Sequence, residues 1–232
     1  MRDDVTVVLC THAARPRPYF DRAYASAKDQ APIVVADNGD NPQPRCHIAW
    51  WDGIYRATTP YVALLYDDDW YEPGFIDTLT PELQDDRVAY AWSNATLRFP
   101  DGTSGPNLQL PLGRHVVDSR SHGERLTSMR YTISPGCAVF RRAEALTCLL
   151  PGGTPLGTFR SPLSGPDALL MLLPLFTHPV AVGFGECLVN FDAGPQSTTI
   201  DAISDPEKQA ALDAGYAEAR AFYLRLGGAC GG

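Results

Sequence analysis

The sequence predicts an α/β protein built on a mostly parallel central sheet flanked by helices, with a smaller mixed region following it. Three observations predict this. Apolar strand-like runs alternate with helix-spaced segments over the first 90 residues. Those runs are continuous rather than alternating, as expected of strands covered on both faces. Each of them ends in polar or acidic residues, and in such sheets ligands collect at the carboxyl ends of the strands.

The elements follow in order. "VTVVLCT" (Val5–Thr11) is the first strand, closed by His12 and a proline-rich turn, "ARPRP". Tyr19, Phe20, Ala23, Tyr24 and Ala27 then recur at helical spacing, and Pro18 is suited to the helix start. "APIVVAD" (Ala31–Asp37) reads as a second buried strand, stopped by "NGDNPQP". Ile48, Trp51 and Tyr55 mark a second helix. "YVALLY" is a third strand, and Phe75, Ile76, Leu79 and Leu83 a helix after it. Beyond residue 90 the pattern is less regular. "RVAYAWSNATLRF" alternates like a strand with one exposed face, Val88, Tyr90 and Trp92 on the other. "PDGTSGPNLQLPLG" reads as loop, "GCAVF" (Gly136–Phe140) as a short strand, and Pro151–Pro166 as a long loop. Asp167 opens a helical run, "DALLMLLPLF". "VAVGFGECLVNF" supplies one or two strands. A final helix runs from about Pro206 to Leu226, its start marked by a capping box at Ser204 and Glu207. The organisation expected is a single domain over 1–232: a ligand-binding half (1–90), a second half (91–200) and a C-terminal helix (204–228).

Composition narrows the class. The chain has 232 residues, 44 % of them hydrophobic and 20 % charged, which fits one sizeable core. A net charge of −8 excludes a uniformly basic nucleic-acid binder. The six cysteines form no C-x-x-C pair, which argues against a zinc ribbon and for a reducing compartment. No signal peptide is visible, and "ALLMLLPLF" is too short to span a bilayer, so a cytoplasmic location is expected.

The chemistry concentrates in "YVALLYDDDWYEPGF" (Tyr61–Phe75), where a buried strand runs into Asp67, Asp68 and Asp69. Adjacent carboxylates repel and raise one another's pKa unless a cation neutralises them. From an extended backbone two at most can aim at one point, and a turn is needed to add the third. A divalent ion, Mn2+ or Mg2+, takes such oxygen ligands together with phosphate oxygens. The plainer alternative is an acidic helix N-cap.

"VTVVLCTH", "APIVVADNGD" and "YVALLYDDDWYEP", in that order, resemble the family 2 glycosyltransferases of the GT-A (Rossmann-like) fold. The resemblance covers roughly residues 4–192 and is firmest over 4–80. It implies a metal-dependent, inverting transfer of a sugar from a nucleotide-diphosphate sugar, UDP-sugar favoured, to a hydroxyl acceptor. By the same resemblance Thr11 and His12 line the nucleotide pocket, Asp37 accepts a hydrogen bond from the base, and Arg45 contacts the nucleotide. Asp67, Asp68 and Asp69 form the D-x-D-type motif, with Asp68 first choice for the metal, Asp69 beside it and Asp67 towards the ribose. "SGPDALLMLL" is similar to the segment carrying the general base, hence Asp167. "PGCAVFRRAEAL" is similar to the acceptor-side strand. For Asp37 an Asx turn, and for Asp167 a helix cap, are the structural alternatives. The chain departs from the family pattern at Tyr66, where an acid is frequent, and at "WWDG" (Trp50–Gly53). It lacks Q-x-x-R-W, which argues against a processive synthase.

Between Arg114 and Arg142 lie six arginines against Asp118 and Glu124, a net of +4 with the two histidines neutral. An anionic acceptor is the expectation from this asymmetry: a lipid phosphate, a glycan, or DNA bearing a hydroxylated base. A nucleotidyltransferase or phosphohydrolase on a similar sheet, and an inactive nucleotide- or glycan-binding module, are the alternatives of other classes.

Overall fold

A computed structural model of the chain describes residues 1–39, 46–107, 110–127, 133–149, 165–194 and 205–230. Among the described residues nine strands form one sheet in the order β2-β1-β3-β8-β5-β9-β4, with β6 on β5 and β7 on β9. The strands are β1 (Val5–Thr11), β2 (Ile33–Asp37), β3 (Tyr61–Tyr66), β4 (Trp70–Tyr71), β5 (Val88–Arg98), β6 (Ser104–Asn107), β7 (Arg114–Asp118), β8 (Ala138–Arg141) and β9 (Val180–Asp192). The helices are α1 (Arg17–Ala27), α2 (Cys46–Arg56), α3 (Phe75–Leu79), α4 (Ser119–Leu126), α5 (Arg142–Leu149), α6 (Gly165–Leu172) and α7 (Pro206–Cys230).

The sheet is mixed rather than mostly parallel. β1 pairs parallel with β2 and β3, and β5 with β9. The pairs β3/β8, β5/β8, β4/β9, β5/β6 and β7/β9 are antiparallel. The reason lies in what an apolar run reports. It records that both faces of a strand are covered and carries nothing about the direction of the neighbour.

Three further expectations shift. β5 is covered on both faces: Tyr90 and Trp92 are buried on one, Ala89, Ala91 and Ser93 on the other. Its alternation is large against small, not apolar against polar. β2 is the edge strand, and Val35 on it is exposed. In α2 the core face carries Ala49, Trp50 and Ile54, whereas Tyr55 is exposed and stacks on Trp51. Two adjacent tryptophans let the stripe be read one position late. Burying Trp50 and Ile54 instead contributes about 1.5–3 kcal/mol each.

The segment read as loop before Arg114 contains β6, and β7 follows where no strand was expected. "DALLMLLPLF" divides into α6 and a 3-10 turn over Leu173–Phe176. The loop Pro151–Pro166 lies almost wholly outside the described residues, as does Ser204. The N-terminus of α7 is capped by Asp205, whose carboxylate accepts from the backbone N–H groups of Glu207 (2.9 Å) and Lys208 (3.3 Å). From α7, Tyr223 packs its ring 4.6 Å from that of Phe176 and joins the hydrophobic core. Cys10, Cys137, Cys148 and Cys187 are free thiols. Among the described residues no helix is long and apolar enough to cross a membrane.

Candidate active site

β1 and β3 run side by side with Cys10 opposite Tyr66, so Thr11 and Asp67 leave the sheet at the same edge. β2 brings Asp37 opposite Thr11 there. After Tyr66 the chain turns at once: the Asp69 N–H donates to the Tyr66 carbonyl at 3.2 Å. This turn gathers the three carboxylates that an extended strand would splay apart. β4 follows and pairs with β9, placing Asp192 beside them.

Each carboxylate has a different environment. Asp67 is buried and both its oxygens are engaged, Oδ2 by the Thr11 hydroxyl and Oδ1 by Arg15 Nε, both at 2.8 Å. Asp68 lies 3.1 Å from an Arg15 terminal nitrogen. Burial pushes its pKa up to about 6, Arg15 opposing and Asp67 adding to the rise. Asp69 is buried, and its Oδ1 accepts the Asp192 backbone N–H at 3.1 Å. Burial, then the Asp68 charge, hold its pKa well above the carboxylate range. Asp192 is bound by Arg22 at 2.8 Å. The same Arg22 nitrogen donates to the Asp68 carbonyl at 2.8 Å, and the guanidinium lies 3.9 Å over the Trp70 ring. Two guanidinium groups thus pair with three of these four carboxylates, and Asp69 is held by a backbone N–H. Fully ionised, the cluster is two negative charges in excess.

That donor set suits a hard divalent cation. Every side-chain donor is a carboxylate oxygen, two of the carboxylates resist ionisation without a counter-charge, and the deficit is two. Among the described residues no three His, Cys, Asp or Glu side chains form a ready-made cage. A Mg2+-type ion needs only one or two carboxylates when phosphate oxygens supply the rest. Of the three, Asp68 and Asp69 could hold such an ion, since Asp67 is fully occupied.

The remaining predicted residues divide. Asp37 is exposed, and its Oδ1 accepts the Gly39 N–H at 2.8 Å, the Asx turn named as its alternative. It nonetheless sits at the same edge, beside Thr11. His12 is half-buried on the β1–α1 loop, and its carbonyl accepts from the Arg15 N–H. Among the described residues its ring makes no hydrogen bond. Arg45 lies outside the described residues. Asp167 is in the first turn of α6, half-buried, and burial pushes its pKa up to about 7. α6 packs against the 3-10 turn Pro135–Cys137. That turn lies against the end of β3: a Cβ on Gly136 would stand 2.9 Å from the Tyr66 ring. Through this contact Tyr66, where an acid is frequent in the family, connects the carboxylate turn to the turn against which α6 packs.

The expected basic face is largely spent on the protein itself. Arg114 pairs with Glu82, Arg120 with Glu124 and Arg141 with Asp86. Arg142 donates to the carbonyls of Ile54 and Tyr55. Arg130 lies outside the described residues. Three site residues went unread in the sequence: Arg15, Arg22 and Asp192. Arg15 had a signal, an arginine at the carboxyl end of the first strand, within a segment read only as a turn.

Comparison with solved structures identifies the architecture. It is the fold of TarS. The chain superposes on S. aureus TarS with a TM-score of 0.58 at 12 % identity, over 82 % of this chain and 36 % of that one. On TarS 1-349 in complex with UDP the score is 0.56 at 12 % identity, covering 90 % and 69 %. On TarS 1-349 in complex with UDP-GlcNAc it is 0.55 at 13 % identity, covering 82 % and 58 %. The chain thus spans little more than a third of the longest of these. TarS is of the GT-A type, and the α/β mixed sheet flanked by helices described above matches it. No protein-family model matches the chain, and no curated protein matches its sequence.

Proposed function

We propose that the chain is a glycosyltransferase that takes a sugar from a nucleotide-diphosphate sugar, a UDP-sugar by preference, and moves it to a hydroxyl acceptor with inversion. One observation carries this reading. The Asp67–Asp69 turn stands at the carboxyl edge of β1 and β3, in a fold shared with a protein solved with UDP and UDP-GlcNAc. In α/β sheets that edge is the place for a nucleotide.

The residues have separable tasks. Asp37 and Thr11 lie at the edge where the nucleoside would rest. A divalent cation held by Asp68 and Asp69, Mn2+ or Mg2+, would supply positive charge against the departing diphosphate. Asp67 anchors the turn through Thr11 and Arg15. Asp167, with its pKa near neutrality, is matched to a general base. As the acceptor oxygen bonds to the anomeric carbon, the bond from that carbon to the diphosphate oxygen breaks and the hydroxyl proton passes to Asp167. Its partial burial at the start of α6 strengthens the carboxylate's hold on a proton. Arg114, Arg120, Arg141 and Arg142 have partners within the protein, so they give an anionic acceptor no independent support.

The test is thermal unfolding against UDP, TDP, GDP, CMP and their sugars, each with and without Mn2+. A ligand at about 100 times its Kd adds roughly 2.7 kcal/mol of stability. Stabilisation by one nucleotide class, enhanced by Mn2+, is expected. No stabilisation by any nucleotide in folded protein would remove the reading.

A further inference from the structure

We propose that Arg15 is a resident counter-cation that must release Asp68 when a divalent cation loads, so that cation and diphosphate bind cooperatively. This rests on the donor reading above. Arg15 contacts two carboxylates of the cluster at once, Asp67 at 2.8 Å and Asp68 at 3.1 Å. Its side chain is only 8 % exposed, and those of Asp67 and Asp68 are 4 % and 13 %. In so enclosed a site a guanidinium and a divalent ion on one carboxylate repel strongly, with little water to screen them. Asp67 offers the ion no way round, because Thr11 and Arg15 occupy both its oxygens.

The arrangement also supplies a destination for the displaced group. Arg15 sits on the β1–α1 loop, within the proline-bounded segment "ARPRP", and its guanidinium already lies 6.0 Å from the Tyr19 ring. A planar guanidinium pairs two oxygens of a phosphate as well as those of a carboxylate. A diphosphate arriving with the cation would take the freed guanidinium, and the cation would take Asp68. The cation alone takes Asp68 from the Arg15 terminal nitrogen, and the diphosphate alone leaves Asp68 without its guanidinium. Linkage then requires that each ligand tighten the other by the same factor.

The experiment is Mn2+ binding without nucleotide, followed by the electron paramagnetic resonance signal of the free ion. Wild type is compared with Arg15→Gln, which removes the charge, and Arg15→Lys, which keeps it. The expected result is Mn2+ binding at least tenfold tighter in Arg15→Gln and unchanged in Arg15→Lys. It is accompanied by weaker UDP binding at saturating Mn2+ in Arg15→Gln. Unchanged or weaker Mn2+ binding in Arg15→Gln overturns the proposal. Should Arg15→Gln not fold, the resonance of the Arg15 terminal N–H group that faces Asp68 in wild type, assigned through Arg15→Lys, is followed as Mg2+ and UDP are added together. A shift supports displacement, and a resonance unmoved at saturation overturns it. The donor reading fails separately, if wild type gains no stability from any nucleotide-sugar.

Discussion

Thr11 and Arg15 hold opposite oxygens of Asp67, each at 2.8 Å, so the end of β1 and the loop beyond it are locked to the end of β3. Asp67 is thereby a fixture of the site's frame, while Asp68 and Asp69 beside it retain oxygens for a ligand.

Asp67→Ala should accordingly be costly to the fold. It leaves the Arg15 charge without its closest partner in a buried site, a change that typically costs about 3–5 kcal/mol. Thr11→Val removes one hydrogen bond and should cost about 1–2 kcal/mol. Because both act on one carboxylate, the double variant should lose less than the two costs combined. Urea denaturation of the four proteins measures all three quantities. Full additivity would mean that the two contacts are not coupled.

Asp68→Ala should behave in the opposite way. Its carboxylate is disfavoured by burial, so removing it should leave the unliganded protein as stable as wild type or slightly more so. The Mn2+-dependent part of nucleotide binding should vanish. Undiminished Mn2+-dependent UDP affinity in Asp68→Ala would reassign the cation to other residues.

What the sequence made legible, and what it hid, follows from the kind of information each residue carries. Val5–Thr11 and Tyr61–Tyr66 were readable because a strand covered on both faces must be apolar throughout. Their polar ends marked the site's edge for the same reason: hydrophobicity stops where the sheet stops. Strand direction was not readable, since β5, β8 and β9 are buried whichever way their neighbours run. The three aspartates were visible as a local charge conflict. Their resolution by Arg15, 52 residues away from Asp67, and by Arg22 and Asp192, 170 apart, depends on tertiary placement that no local pattern encodes. The arginine-rich segment was only partly readable for a related reason. Composition counts charges within a segment, whereas the partners Glu82 of Arg114 and Asp86 of Arg141 come from outside it.

Gly123 offers a test of how the C-terminal helix is seated. A Cβ there would stand 1.9 Å from the Tyr223 hydroxyl, and Tyr223 is a buried aromatic of α7 that joins the core. Gly123→Ala gains helix propensity of about 1 kcal/mol in α4. The displaced tyrosine should outweigh this, as overpacking costs typically about 1–3 kcal/mol. Limited proteolysis should then cut within α7 faster than in wild type, with the sheet region protected. Equal cleavage rates would show that Tyr223 accommodates the methyl group without undocking.

Asp167 makes the sharpest demand, because its pH behaviour links stability to chemistry. Burial raises its folded pKa to about 7, above the ordinary aspartate value of about 3.9. The folded state therefore holds this proton more tightly than the unfolded chain does. The resulting stabilisation is complete below about pH 4 and is lost as pH rises through about 7. Asp167→Asn should flatten stability across that window. Transfer should rise with pH through about 7 in wild type, as the base deprotonates, and fall about 100- to 10,000-fold in Asp167→Asn. Nucleotide binding should survive, because Asp167 is carried by α6 and not by the carboxylate turn. Stability against pH, nucleotide affinity and rate, measured on this one variant, separate the roles. Flattened stability with an undiminished rate would make Asp167 a buried acid at a helix start and place the base elsewhere.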